Sequence, residues 1–148
     1  MDIYALLKQD HEKVTELLDK LDETGDGAVK TREKLFAQLK QELTAHSEAE
    51  EKTFYDALKK AEETREIVLE GVEEHHVASA LLTELDAMPK DDERWGAKLS
   101  VLKENVTHHI EEEEKELFKK ARKVLDAAQA EEIGKRMEAE KRALLAQV

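Results

Sequence analysis

His46-Ser47-Glu48-Ala49-Glu50-Glu51-Lys52 returns in the second half of the chain as His109-Ile110-Glu111-Glu112-Glu113-Glu114-Lys115. Each copy is followed by bulky apolar or aromatic side chains, Phe54-Tyr55 after the first and Leu117-Phe118 after the second. On an α-helix, residues four apart are offset by about 40° and lie one turn above the other. His46 and Glu50 therefore point the same way, as do His109 and Glu113. The repeat predicts two helices, each presenting one imidazole and one carboxylate on a common face.

Outward from the repeat, the whole chain reads as helix. Its 148 residues suit one domain with a single continuous core. One Pro, five Gly and 4% aromatics, against a wealth of Ala, Leu, Glu and Lys, favour long helices over strands. Charged residues make up 41% of the chain, but apolar ones keep recurring at three- and four-residue intervals, as an ordered amphipathic bundle requires.

Ile3, Leu7, Val14, Leu18 and Leu21 form a first stripe that stops at Thr24-Gly25-Asp26-Gly27. Leu35, Leu39, Leu43, Phe54 and Leu58 form a second, with Thr64 placed to cap the third helix. The third carries Val68, Val72, Leu82 and Leu85 and is stopped by Pro89, after which Asp91 or Asp92 is available as a cap. Trp95, Leu99, Leu102, Val106, Ile110, Leu117 and Ala121 define the fourth. Short links make neighbours antiparallel, so the expected fold is all-α, an up-down-up-down antiparallel four-helix bundle over residues 1–126. Residues 127–148 are expected to form a short additional C-terminal helix packed on the same domain.

Composition narrows the function. A formal net charge of −12 disfavours nucleic acid and anionic membranes as partners. The absence of cysteine removes disulfides, thiolate metal sites and cysteine nucleophiles. The N-terminal Met1-Asp2-Ile3-Tyr4 has no basic or apolar leader character, and no apolar run is long enough to span a bilayer. A cytoplasmic monomer is expected. Few glycines and no GxSxG or phosphate-loop pattern argue against hydrolase and nucleotide-binding readings.

Four histidines fall on the apolar stripes. His11 continues Leu7 toward Val14, His46 lies between Leu43 and Glu50, His75 follows Val68 and Val72, and His109 follows Leu102 and Val106. His76 and His108 fit these faces less well. One inward histidine is commonly a packed side chain; an inward His on each of four helices, with two inward carboxylates, is a different matter. Buried carboxylates cost several kcal/mol each unless protonated, paired or bound to a cation. Glu51 and Glu114 sit 100° away from the inward Glu of each pair and have Lys nearby, which places them on the solvated face.

Four imidazoles and two carboxylates exceed one closed zinc site and are too rich in nitrogen for calcium or magnesium. Two transition-metal ions fit, with Glu50 and Glu113 bridging, two histidines on each side, and iron as the expected metal. The site's positive balance would also favour a bridging hydroxide. A ferritin-like centre would need two ExxH motifs, and only Glu73 to His76 has that spacing.

Over about residues 3–125 the chain resembles bacterial hemerythrin-like proteins of the HHE cation-binding domain family. The resemblance rests on Asp10-His11, the His46–Glu50 pair with Phe54-Tyr55, Glu74-His75, and the His109–Glu113 pair with Leu117-Phe118. It implies two non-heme iron ions with an oxo or hydroxo bridge, held by His11, His46, Glu50, His75, His109 and Glu113. It implies as partner dioxygen or a related small oxidant such as peroxide or nitric oxide, which the protein would bind, store or sense. Two departures stand out: Ser79 where oxygen carriers have a second histidine on the third helix, and a choice between Glu113 and Glu114 at the fourth. Water, Tyr4 or a shifted Glu are the candidates for the missing ligand. The alternatives are a diiron redox enzyme of peroxidase or ferroxidase type, and a metal-free helical interaction module.

Overall fold

The computed structural model describes residues 1–147, which form five helices and no strands. Helix α1 spans Ile3–Asp22, and its first turn is capped by Asp2, whose carboxylate accepts from the Ala5 amide at 2.9 Å. Helix α2 runs over Val29–Glu50, passes through a π-helical turn at Glu51–Tyr55 and resumes for Asp56–Leu58. Helix α3 spans Arg65–Ala87. Helix α4 repeats the pattern of α2, with Glu93–Glu112, a π turn at Glu113–Leu117, and Phe118–Val124. Helix α5 covers Ala127–Ala146.

The expected helix boundaries hold with two corrections. Asp92 caps α4 as its position predicts, accepting from the Arg94 amide at 2.8 Å. Thr64 occupies the N-cap of α3 but caps nothing; its hydroxyl donates to the Leu58 carbonyl at 2.7 Å and ties α3 to the end of α2 instead. Helix α5 is also not short. At 20 residues it equals α1, and Asp126 with Gln129 forms a complete capping box at its start.

Helices α1 and α2 pack together, α3 packs with α4, and α5 lies across α1 and α2. Gly134 makes that last contact close, since a Cβ there would lie 2.9 Å from the Asp2 carbonyl carbon. The apolar interior is divided. One cluster gathers Ile3, Leu7, Phe54, Leu58, Val68, Leu117, Phe118, Ile133 and Met137; the other gathers Val14, Leu18, Phe36, Leu39, Leu82, Leu85, Trp95, Leu102 and Val106. Between the two clusters every bundle helix places buried polar side chains: Asp10 and His11, His46 and Glu50, His75, and His109 and Glu113. A polar layer thus crosses the waist of the bundle.

Candidate metal centre

All six residues singled out by spacing meet in that layer. His11, His46, Glu50, His75, His109 and Glu113 are all buried. Ligand atoms of His11, His46, Glu50 and Glu113 lie within 4.8 Å of one another, and so do those of Glu50, His75 and His109. Glu50 belongs to both groups. Glu113 extends to the second as well, with Oε2 3.4 Å from His109 Nε2. The histidines pair across the bundle, His11 with His46 at 5.3 Å between ring centres and His75 with His109 at 4.8 Å. His76 and His108 lie at the surface instead, 72% and 68% exposed, and His108 gathers with Glu74 and Glu112 apart from the buried layer.

Most of the atoms facing inward have no hydrogen-bond partner; His109 Nε2 and Glu113 Oε2, both beside the Tyr55 hydroxyl, are the exceptions. His11 Nε2, His46 Nε2, His75 Nε2, both Glu50 oxygens and Glu113 Oε1 are buried and unsatisfied. Native interiors almost never leave such groups unpaired, because each costs on the order of 1–3 kcal/mol. Six of them converging from four helices form a set of lone pairs that cations would complete. The nitrogen and carboxylate donors fit a transition metal.

The outward nitrogens are all engaged. His11 Nδ1 donates to Glu114 at 2.6 Å, His46 Nδ1 to Asp10 at 2.8 Å, His75 Nδ1 to Glu51 at 2.7 Å and His109 Nδ1 to Glu74 at 2.7 Å. These bonds fix the tautomer that leaves Nε2 free for a metal. They also run in chain order around the bundle: α1 holds the histidine of α2, α2 that of α3, α3 that of α4, and α4 that of α1. Glu51 and Glu114 therefore do not belong to solvent, as the 100° offset suggests. That angle points them into the grooves between helices, where each meets the next helix's imidazole.

The π turns start immediately after Glu50 and Glu112, beside the inward carboxylates Glu50 and Glu113. Each inserts one extra residue per turn and so rotates the remainder of its helix. On α2 the Thr53 hydroxyl donates to the Ala49 carbonyl at 2.7 Å, competing with the helix amides for that acceptor within the turn. The extra residue keeps Phe54, Tyr55 and Leu58 facing the core beyond Glu50.

Tyr55 is the residue that spacing alone did not single out. Its hydroxyl donates to Glu113 Oε2 at 2.8 Å, lies 3.4 Å from His109 Nε2, and its ring stacks on His75 at 5.4 Å and 11°. It fits because α3 has no side chain at residue 71; a Cβ on Gly71 would stand 2.5 Å from the Tyr55 hydroxyl. The ring of Tyr4, the phenol considered as the replacement for a ligand at Ser79, packs against Phe54 and Phe118 under Arg122, and its hydroxyl is buried without a hydrogen-bond partner. Ser79 itself is exposed and faces away from the cluster.

The two facing carboxyls are pushed in opposite directions. Burial and the facing Glu113 push Glu50 well above the usual carboxylate range. Burial opposes ionisation of Glu113 too, but the neighbouring Glu50, His109 and His11 hold it well below. Burial likewise disfavours charge on the imidazoles. The surrounding carboxylates outweigh it at His109, pushed well above 6.5, and at His11, raised above 6.5, whereas burial prevails at His46, which is lowered.

Above the layer, on the side of Val14, Leu43, Ala78, Val106 and Ile110, a small cavity opens onto all four imidazoles. Its exposed wall is mainly apolar, with Ser47, Glu74 and Asn105 as further polar residues at its lining.

Residues 2–121 match the hemerythrin HHE cation binding domain, and the chain belongs to that family. It is similar to a hemerythrin HHE cation binding domain-containing protein of Mycobacterium kansasii, whose crystal structure superposes with a TM-score of 0.87 at 24% identity, covering 99% of this chain and 89% of that one. It is also 27% identical over 135 residues to a Nostoc protein described as a DNA nickase. That match takes in 89% of this chain but 37% of the relative, so the chain spans little more than a third of the Nostoc protein. A family built to bind cations agrees with the His and Glu clusters in the waist. Among the described residues no helix is long and apolar enough to cross a membrane.

Proposed function

We propose that this chain holds two non-heme iron ions in its waist and uses them to bind, store or sense dioxygen or a related small oxidant. The observation that carries the reading is the convergence of unsatisfied Nε2 and carboxylate atoms beneath an apolar cavity. His11 and His46 would hold one ion and His75 and His109 the other, with Glu50 and Glu113 shared. Iron bound by imidazole and carboxylate supplies electrons to an oxidant. The protein's part is to fix the imidazoles through their Nδ1 bonds.

Tyr55 favours a second reading, a redox enzyme acting on peroxide or on ferrous iron. Its phenol donates a hydrogen bond to Glu113 within the layer, and burial and the neighbouring carboxylates raise it well above its ordinary value, so it would serve a reaction there as a fixed hydrogen-bond donor. The strand cleavage named for the Nostoc relative is a weaker candidate for this chain, since a net charge of −12 opposes approach of a polyanion.

The test is anaerobic loading with ferrous iron followed by air. About two irons per chain and a new near-ultraviolet absorption support the reading; a chain that stays colourless and retains no iron rejects it. Reversible oxygen uptake under vacuum, set against turnover with peroxide, separates carrier from enzyme.

A further inference from the structure

One of the four carboxylates that hold the imidazoles differs from the others. Glu51, Glu114 and Glu74 are 37%, 31% and 21% exposed, so water can serve their remaining lone pairs. Asp10 is 5% exposed, and its second oxygen faces protein alone. That oxygen is taken by Lys141 of α5, whose ammonium donates to Asp10 Oδ1 at 2.7 Å while Asp10 Oδ2 accepts from His46. The ammonium is fixed in turn by Glu42 of α2, and Lys13 of α1 bonds the other Glu42 oxygen at 3.2 Å. No lysine or arginine pairs with Glu51, Glu74 or Glu114 among the described residues. Lys141 also lies beyond residue 121, where the family match ends.

We infer that Lys141 is a positioning residue for His46, which makes helix α5 a working part of the metal centre. The inference rests on the metal-binding reading above. A buried carboxylate with one partner is free to turn about its Cβ–Cγ bond. With Lys141 holding Oδ1, Oδ2 is pinned on the His46 ring and Nε2 is aimed at the cluster. Losing such an outer hydrogen bond typically weakens metal binding 10- to 100-fold. The effect falls on one ion, because Asp10 touches His46 alone among the four imidazoles.

The experiment is Co2+ titration of the full chain, followed by visible d–d absorption, for wild type, K141M, K141Q and K141R. Wild type fills two sites. K141M and K141Q fill one with unchanged affinity and bind the second about 10-fold or more weakly, with an altered spectrum, and K141R restores both. E140Q, which removes the Lys52–Glu140 ion pair between α5 and α2, changes neither site. Wild-type affinity and spectrum in both neutral variants overturn the inference alone, as does an equal weakening of both sites, the mark of a merely structural role. A wild-type chain that takes up no Co2+ overturns the metal-centre reading and this inference with it.

Discussion

Glu114 on α4 accepts a 2.6 Å hydrogen bond from His11 Nδ1 on α1, while its neighbour Glu113 places Oε1 3.2 Å from Nε2 of the same ring. Adjacent carboxylates thus address the two nitrogens of one imidazole on the next helix. Glu50 and Glu51 do the same to His75, at 3.2 Å and 2.7 Å. The second glutamate of each pair decides where the histidine points.

Removing that support is expected to weaken metal binding while leaving all six inward residues in place. Glu51→Ala and Glu114→Ala are each expected to lower metal affinity 10- to 100-fold. The loss falls on the ion next to His75 in the first case and next to His11 in the second. Competition with a chelator measures it, and unchanged affinity in both variants would remove the outer carboxylates from the site.

Glu50 trades stability for binding. In the metal-free chain its carboxyl is buried with both oxygens unpaired, so Glu50→Met is expected to stabilise that state by roughly 1–4 kcal/mol, as replacement of costly buried ionisable groups often does. The same variant should release both ions, since both clusters use this residue. Urea unfolding with and without metal reads both effects, and a Glu50→Met chain less stable than metal-free wild type contradicts the account.

Gly71→Ala tests the seat of Tyr55. The new methyl would collide with the phenol, so overpacking costs about 1–3 kcal/mol and drives the hydroxyl off Glu113. Tyr55→Phe removes the hydroxyl but not the ring. If Gly71→Ala and Tyr55→Phe change the metal spectrum alike, the hydroxyl is the common cause; a normal spectrum in Gly71→Ala would mean the ring escapes the clash.

Acidity of the metal-free site sets a pH dependence. His109 and His11 titrate above their ordinary 6.5 because carboxylates surround them, and burial holds a proton on Glu50 above 4.5. Raised folded values mean that the imidazoles' stabilisation is complete below 6.5 and fades as pH rises through them; the lowered His46 acts in the opposite direction. Metal-free stability should therefore fall from pH 6 to alkaline pH, with His46 blunting the slope. Metal must displace these protons, so apparent affinity rises with pH over the same range. Calorimetry in buffers of different ionisation enthalpy should find at least one proton released per chain at pH 7, and none would contradict these assignments.

The six inward residues were legible because helical geometry alone puts i and i+4 on one face, and the apolar stripes say which face is inside. The bundle was legible for the same reason, with Pro89 and the Gly25-Asp26-Gly27 turn marking the ends. Glu51 and Glu114 were misplaced because 100° from the core direction leads to open water on a lone helix and to a groove in a bundle. The roles of Tyr55, Gly71 and Lys141 have no spacing signal, since they depend on which surfaces touch. The Asp10–Lys141 pair spans nearly the whole chain and has no spacing signature.

The division of the interior into two apolar clusters has a consequence for how the protein opens. Stripped of cations, the bundle is two greasy plugs with a seam of mismatched charge between them, and the seam is where solvent should first enter. Amide exchange around residues 46–50 and 109–113 would be fast in the metal-free protein and slow in the filled one. The cation then acts as the rivet through both halves, so that a cell short of metal would hold not just an idle protein but a leaky one, exposed to proteases at its waist.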